Sequence, residues 1–192
     1  MDLTDRFKQA LLLMFELHSK QKRKGTTIPY FSHLLAVTTT VLENGSSEDE
    51  AIAALLHDAA EDAGGKETLT LIKERFGDRV SEIVEHCSDT LEADKPPWQP
   101  RKEAYLTNLA TVNDPSILIV SIADKLHNAK SILKDYKIVG TKLWSRFSAT
   151  EQQIIWYYQS LLSIYQSKSQ LCPSQLIEEL QQTINELEYN LE

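Results

Sequence analysis

Cysteine, glycine and long apolar runs are all scarce in this 192-residue sequence. Its two cysteines, Cys87 and Cys172, lie far apart and form no Cys-x-x-Cys pair. This excludes a zinc knuckle and a disulfide framework, and it favours a reducing cytoplasm. No apolar run approaches the roughly 18 residues that a membrane span needs. Asp2 and Asp5 stand where a secretory signal carries basic residues, so we expect neither export nor membrane insertion.

Basic side chains are outnumbered, 20 against 28 acidic ones, which gives a formal net charge of −8. Nucleic acids and membrane surfaces attract positively charged faces, so this balance argues against broad binding to either. Apolar residues make up 42% and charged residues 25%, which is typical of a globular protein and excludes a disordered or fibrous chain. We predict a single domain over residues 1–192.

The spacing of apolar residues predicts helix along almost the whole chain. Only six glycines occur, and they lie between the apolar-periodic stretches. Capping boxes at Ser47–Glu50 and Ser148–Glu151, and Asp114 followed by Pro115, predict three helix starts. The predicted helices cover residues 5–20, 30–43, 51–62, 68–76, 78–87, 101–111, 117–136, 151–165 and 176–191. We therefore predict an all-α helical bundle of about eight to ten helices.

Three carboxylates and an imidazole crowd the end of the apolar helix predicted over residues 51–62. Residues four apart are neighbours on a helix, so Glu61 lies one turn from His57 and Asp62 one turn from Asp58. Negative charge is unfavourable at a helix C-terminus, and a bound divalent cation would resolve that conflict. A solvated helix end is the alternative.

His33 and Asp124 are the candidates to complete a metal site. Two histidines and two aspartates form a mixed nitrogen and oxygen site, which suits Mn²⁺, Fe²⁺ or Zn²⁺ better than Mg²⁺ or Ca²⁺. A buried Asp124 needs a partner, and we do not expect Lys125 to be that partner, because adjacent helical residues do not face each other. Asn128, one turn on, places an amide beside the site. For His33 the alternative is a satisfied core histidine, which is how we interpret His18 and His86.

Two segments concentrate positive charge. The basic segment Lys20–Lys24 precedes the His33 helix, which favours capture of a polyanionic substrate at the metal site over a merely solubilising loop. The second segment, Lys95–Lys102, contains Trp98 and Arg101. Trp98 either stacks on a nucleotide base or covers the core beneath a loop, and the sequence leaves both possibilities open.

These motifs resemble the HD-domain metal phosphohydrolases, and within them the RelA/SpoT hydrolase domain and the small alarmone hydrolases, including metazoan SpoT homologs. The matching motifs are Arg23-Lys-Gly with Pro29-Tyr-x-x-His33, His57-Asp-x-x-Glu-Asp62, Phe76-Gly with Asp89, Arg101-Lys102 and Ala123-Asp-Lys-Leu-His-Asn128. The resemblance covers residues 7–136. We interpret residues 144–192 as closing helices of the same HD hydrolase domain.

The resemblance implies that one Mn²⁺ per chain is bound by His33, His57, Asp58 and Asp124. It implies that Glu61 and Asp62 serve the attacking water, and that the substrate is bound by Arg23, Lys24, Arg101, Lys125 and Asn128. The implied activity is a cytoplasmic, Mn²⁺-dependent 3′-pyrophosphohydrolase of (p)ppGpp-type alarmones that releases pyrophosphate and GDP or GTP. Its partner would be a small nucleotide rather than a nucleic acid or a membrane, and the oligomeric state stays open.

The sequence departs from the family pattern at two points. Leu34 follows the first metal histidine where the family has proline, and the segment between Arg23 and His33 is one residue longer. These changes leave the metal ligands intact but shift the base-recognition loop. The substrate could therefore be another phosphorylated nucleotide, such as (p)ppApp or the 2′-phosphate of NADPH. A non-catalytic alarmone-binding module is a further alternative, against which the intact Glu61–Asp62 pair speaks.

Overall fold

The computed structural model describes residues 2–190, and these residues form ten α-helices and one 3₁₀ helix. The helices are α1 Asp5–His18, α2 Phe31–Glu43, α3 Glu48–Leu56, α4 Ala59–Asp62, α5 Gly65–Phe76, α6 Asp78–Cys87, α7 Trp98–Thr111, α8 Pro115–Val139, the 3₁₀ helix Gly140–Arg146, α9 Glu151–Ser167 and α10 Ser174–Tyr189. Within this range, β pairing is confined to an isolated bridge between Lys22 and Pro29. The all-α prediction is confirmed. None of the described helices is both long and apolar enough to cross a membrane.

The chain divides into two compact units, one ending at Lys95 and the other beginning at Pro96. In the first unit the central helix is α3, which packs against α1, α2 and α6. Every residue from Ala51 to Leu56 is fully buried, as expected for a helix that is apolar on all sides. The single domain expected over both units stays a prediction.

In the second unit the central helix is α8, which packs against α9, α10 and the 3₁₀ helix. Every residue from Ile117 to Leu126 is buried, including Asp124 and Lys125. The apolar stripe predicted for the last helix lies in the core of this unit, through Leu176, Leu180, Ile184 and Leu187. Leu191, the predicted end of that stripe, lies outside the described residues.

Several predictions at helix ends are wrong. The continuous helix predicted over residues 51–62 is interrupted, because α3 ends at Leu56 and α4 begins at Ala59. Asp58 between them has φ −96° and ψ −4°, in the sparsely populated bridge region. The second capping box is formed by Thr150 and Gln153, whose side chains pair with each other's backbone N–H, rather than by the predicted Ser148–Glu151. The first box, at Ser47–Glu50, is confirmed.

The start of α7 also lies earlier than predicted, at Trp98 instead of Arg101. Pro100 falls in the first turn of the helix, where the backbone N–H groups have no intrahelical partner, so a proline there removes no hydrogen bond. The predicted loop is therefore shortened to the residues before Trp98.

Gly65 opens α5 three residues before the predicted start of that helix. Its φ of +59° is a conformation that residues with a side chain rarely adopt. A Cβ at this position would overlap the carbonyl oxygen of Leu91. The start of α5 therefore packs directly on the backbone of the segment that leads to Lys95.

Candidate active site

Three of the four predicted metal ligands lie together in the first unit. His33 projects from α2, and His57 and Asp58 lie at the junction of α3 and α4. The Nε2 atoms of the two histidines are 3.3 Å apart. Asp58 Oδ2 lies 3.0 Å from Nε2 of His57 and 3.4 Å from Nε2 of His33. Both histidines are fully buried, so their imidazoles are aimed at one point inside the unit.

The interruption between α3 and α4 explains how adjacent residues reach the same point. In a continuous helix, neighbouring side chains diverge by about 100°. Asp58 has left the regular helical conformation, and its carboxylate turns back beside His57. The local break therefore converts a sequential His-Asp pair into two donors facing one centre.

The donor set fits a divalent transition metal. Ligands bonded at about 2.1 Å to one ion are separated by about 3.0 Å in octahedral and about 3.4 Å in tetrahedral geometry. The three observed separations lie in that range. The Nδ1–H of His57 donates to the carbonyl oxygen of Ala54 at 2.8 Å, which leaves Nε2 available as a ligand.

Tyr30 is a site residue whose role the sequence did not reveal. Its hydroxyl donates to Asp58 Oδ2 at 2.5 Å, the same oxygen that faces the two histidines. Its ring stacks on His18 and meets His33 edge-on, with centroids 5.7 and 5.4 Å apart, and the guanidinium of Arg23 lies 5.6 Å from the ring centroid. The Pro29-Tyr motif marked the position, but nothing in the sequence indicated these contacts.

The proposed catalytic carboxylates are bridged by a lysine that sequence reasoning did not connect with them. Lys95 Nζ donates to Glu61 Oε1 at 3.0 Å and to Asp62 Oδ1 at 2.9 Å. Glu61 Oε2 accepts the backbone N–H of Asp89 at 2.9 Å. Asp62 Oδ2 accepts the side-chain amide of Gln21 at 2.8 Å. Each carboxylate oxygen of the pair therefore has a donor.

The electrostatic environment shifts the ionisation of this group of side chains. Burial, followed by the negative charges of Asp89 and Asp58, raises the pKa of Glu61 against the opposing effect of Lys95. Burial alone would lower the pKa of Lys95, but the neighbouring carboxylates Glu61 and Asp62 raise it above its ordinary value. Glu61 is thus a carboxylate of increased basicity beside a lysine held in its charged form.

The basic segment forms a closed turn. The backbone N–H of Arg23 donates to Ile28 at 2.9 Å, that of Thr26 donates back to Arg23 at 3.0 Å, and that of Tyr30 donates to Gln21 at 2.9 Å. Lys24 is exposed in this turn, and Arg23 is half-buried. The segment from Gln21 to Tyr30 is therefore an ordered turn.

Asp124 lies on α8 in the second unit, where it is nearly fully buried. Its Oδ1 accepts the amide of Asn128 at 2.5 Å, and its Oδ2 accepts Lys125 Nζ at 2.7 Å. The expectation that Lys125 could not pair with its neighbour is wrong, because its long side chain folds back over the helix surface. The ammonium also lies 4.6 Å from the ring centroid of Tyr105. The roles of Asp124 as a metal ligand, and of Asn128 and Lys125 as substrate contacts, stay predictions.

Trp98 has the environment of a residue that covers a core. Its ring meets those of Trp156 and Tyr157 on α9, with centroids 6.5 and 5.9 Å apart. Lys102 Nζ lies 4.8 Å from the centroid of the Tyr157 ring. These contacts favour packing over base stacking for Trp98, and the substrate role of Arg101 stays a prediction.

The HD-domain family model matches residues 10–155, more than half of the chain. The chain belongs to the HD-domain family. Among curated relatives, this HD protein is 38% identical over 117 residues to the guanosine-3′,5′-bis(diphosphate) 3′-pyrophosphohydrolase of Aquifex aeolicus, a match that covers 61% of the chain and 16% of the relative. It is 32% identical over 136 residues to the bifunctional (p)ppGpp synthase/hydrolase SpoT of Escherichia coli K12, covering 68% of the chain and 18% of SpoT. The chain thus spans less than a fifth of the length of these relatives.

Among solved structures, the HD protein has a TM-score of 0.77 to a metazoan ortholog of SpoT that hydrolyses ppGpp. The match covers 96% of this chain and 97% of that one, at 22% sequence identity. The two proteins share a fold over nearly their full lengths. The predicted membership of the HD-domain family is confirmed by the family model, and the likeness to SpoT-type proteins is one of sequence and fold.

Proposed function

We propose that this HD protein is a metal-dependent 3′-pyrophosphohydrolase of (p)ppGpp-type alarmones that releases pyrophosphate and GDP or GTP. The observation that carries the proposal is the cluster of the buried His33 and His57 with the partly exposed Asp58, followed within one helical turn by Glu61, a carboxylate of raised pKa. The names of the relatives from Aquifex aeolicus and Escherichia coli support the same substrate class.

His33, His57 and Asp58 would hold one Mn²⁺, with Asp124 proposed as the fourth ligand. When bound, a divalent ion lowers the pKa of water and polarises a phosphoryl oxygen. Tyr30 orients Asp58 through its hydroxyl, and Ala54 orients His57 through its carbonyl oxygen. These contacts preorganise the ligands before any substrate arrives.

Glu61 is proposed to take a proton from the attacking water. A general base is most effective when its pKa lies near the working pH, and burial with neighbouring acids moves the pKa of Glu61 in that direction. The water oxygen would bond to the phosphorus that is attached to the ribose 3′-oxygen. The bond between that phosphorus and the 3′-oxygen would break, and one water proton would end on the 3′-oxygen. Asp62 would orient the water.

Arg23 and Lys24 are proposed to bind the anionic groups of the nucleotide. Both belong to the closed turn that ends at Tyr30, and Arg23 lies over the ring of that residue. Cations at this place would neutralise charge that develops on the phosphates during the reaction. Arg101, Lys125 and Asn128 are proposed as further substrate contacts.

The longer segment between Arg23 and His33 favours a second candidate substrate for the same class of hydrolysis. Because the additional residue lies in the proposed base-recognition segment, an adenosine substrate such as ppApp, or NADPH, belongs in the same test. The presence of Glu61 and Asp62 favours turnover over simple binding of the alarmone, because a binding module has no need of a carboxylate that activates water.

The decisive experiment incubates the chain with ppGpp, ppApp, NADPH and dNTPs and measures phosphate and pyrophosphate separately. Parallel samples are treated with EDTA and reloaded with Mn²⁺, Fe²⁺, Zn²⁺ or Mg²⁺. We expect pyrophosphate from ppGpp, loss of turnover after chelation, and the best recovery with Mn²⁺. Full activity after exhaustive chelation would contradict the metal dependence. Turnover of ppApp or NADPH alone would replace the proposed substrate.

A further inference from the structure

Lys95 occupies an unusual position in the first unit, because one ammonium group bridges two adjacent carboxylates. The Nζ atom lies 3.0 Å from Glu61 and 2.9 Å from Asp62, whose side chains are 14% and 22% exposed. Lys95 lies 34 and 33 residues away from them along the chain. Through these ion pairs, the position of the non-helical segment that carries Lys95 influences the orientation of both Glu61 and Asp62.

The remaining oxygens of the two acids are held by other segments. Asp89 provides a backbone N–H to Glu61, and Gln21 provides a side-chain amide to Asp62. Lys95 supplies the positive charge that faces both carboxylates. Without that charge, two adjacent carboxylates repel each other and separate.

The backbone that carries Lys95 is itself constrained. Pro96 and Pro97 follow it directly, and a residue before proline is restricted to extended conformations. Upstream, Leu91 lies against the start of α5 at Gly65. Lys95 therefore lies on an exposed loop whose backbone packs against α5 at Leu91 and is restricted in conformation before Pro96.

We propose that Lys95 is a positioning residue that holds Glu61 and Asp62 in one fixed arrangement for attack on the phosphoryl group. This inference rests on the proposed function, because it assigns Glu61 and Asp62 to the attacking water. A direct contact of Lys95 with a substrate phosphate is the competing role. The two roles differ in kinetics: loss of positioning lowers kcat, whereas loss of a phosphate contact in the ground state raises KM.

The kinetic test compares Lys95→Met and Lys95→Arg with the matched control Lys66→Met, an exposed lysine on α5 of the same unit. We expect Lys95→Met to lower kcat for ppGpp by about 10- to 100-fold, with KM within about twofold and metal content unchanged. Lys95→Arg should retain most of the activity, since a guanidinium can also bridge two carboxylates. A KM that rises while kcat is retained, or an unchanged kcat, would overturn the inference.

A thermal double-mutant cycle tests the bridge without turnover. Lys95→Met, Glu61→Gln and the double variant are compared by their melting temperatures. We expect Lys95→Met to lower the melting temperature in the parent chain and to have a clearly smaller effect in the Glu61→Gln background, because the neutral amide of that variant no longer needs the charge. Additive shifts would overturn the inference. If the parent and the Lys66→Met variant hydrolyse no alarmone, the proposed function fails, while the cycle still reports on the bridge.

Discussion

The two halves of the candidate site are built in different ways. His33 and His57 are fully buried and are presented by the helices that form the core of the first unit. Glu61 and Asp62 are partly exposed, and they are held in place by hydrogen bonds and charge from other segments of the chain. The two histidines are positioned mainly by the packing of their helices, whereas the acids are positioned by polar contacts from turns and loops.

This difference predicts which perturbations the metal-ligand cluster and the Glu61–Asp62 pair each withstand. Packing is insensitive to salt, and the ligand positions should survive metal removal because their helices are core helices. Contacts between partly exposed charges weaken as the ionic strength rises. We therefore expect the chemical step to be easier to disturb than metal binding, and the following variants test that expectation.

The largest effect is expected for His57→Ala, which breaks the ligand half. Removal of one of three clustered donors should abolish metal binding and turnover together. Metal content by mass spectrometry and ppGpp hydrolysis are measured on the same samples. His86→Ala on α6, outside the cluster, is the matched control and should keep both. Full metal content in the His57→Ala variant would exclude His57 as a ligand.

Glu61→Gln breaks the acid half while it preserves size and shape. If Glu61 takes the proton from water, this variant should keep its metal and lose roughly 10²–10⁴-fold in kcat. Asp62→Asn should show a milder loss. The control is Glu85→Gln, at an exposed position on α6. Metal loss in the Glu61→Gln variant would indicate that Glu61 is a metal ligand. Near-full turnover would indicate that Glu61 and Asp62 have only a structural role.

Tyr30→Phe tests how far the ligand half depends on a polar contact. The ring can keep its packing against His18 and His33, but Asp58 loses the hydroxyl donor. We expect metal affinity to fall by about 10- to 100-fold, a typical result of removing a group that orients a ligand. Competition with a chelator measures this, with Tyr189→Phe, at an exposed position on α10, as control. Unchanged affinity would show that packing alone orients Asp58.

The smallest effect is expected for the combined change Arg23→Ala and Lys24→Ala. Lost ground-state contacts with phosphates should raise KM by about tenfold and leave metal content unchanged. Added salt should raise KM in the parent chain for the same reason. Removing two exposed lysines elsewhere, Lys134→Ala with Lys142→Ala, controls for net charge. Identical KM values in the two double variants would show that the basic segment does not bind the substrate and serves only solubility.

The helices and the adjacent His57–Asp58 pair were predictable from the sequence because both are encoded locally. Apolar spacing repeats every three to four residues, and the His-Asp motif lies at the end of one such stretch. The break between Leu56 and Ala59 was not predictable, because the alanine-rich flanks favour helix on both sides. Competition between Ser148 and Thr150 for the same helix end likewise depends on how the preceding loop enters the helix.

The contacts of the acid pair were not predictable, because they join segments that are distant in sequence. The bridge from Lys95 depends on the path of the loop after α6, and no periodic pattern encodes such a path. The pair between Asp124 and Lys125 shows a second limit. Helical spacing describes where Cβ atoms point, but a lysine has four further bonds with which to return to its neighbour.

The close approach of Gly65 to Leu91 has a consequence for protein engineering and for natural variation. Replacing glycine by alanine is a common route to higher thermal stability. At Gly65 the added methyl group would displace the carbonyl of Leu91, and the displacement would pass along a short segment to Lys95. The substitution Gly65→Ala would then lower catalytic efficiency, although residue 65 takes no part in the chemistry. Stabilising libraries for this chain should therefore leave residue 65 unchanged.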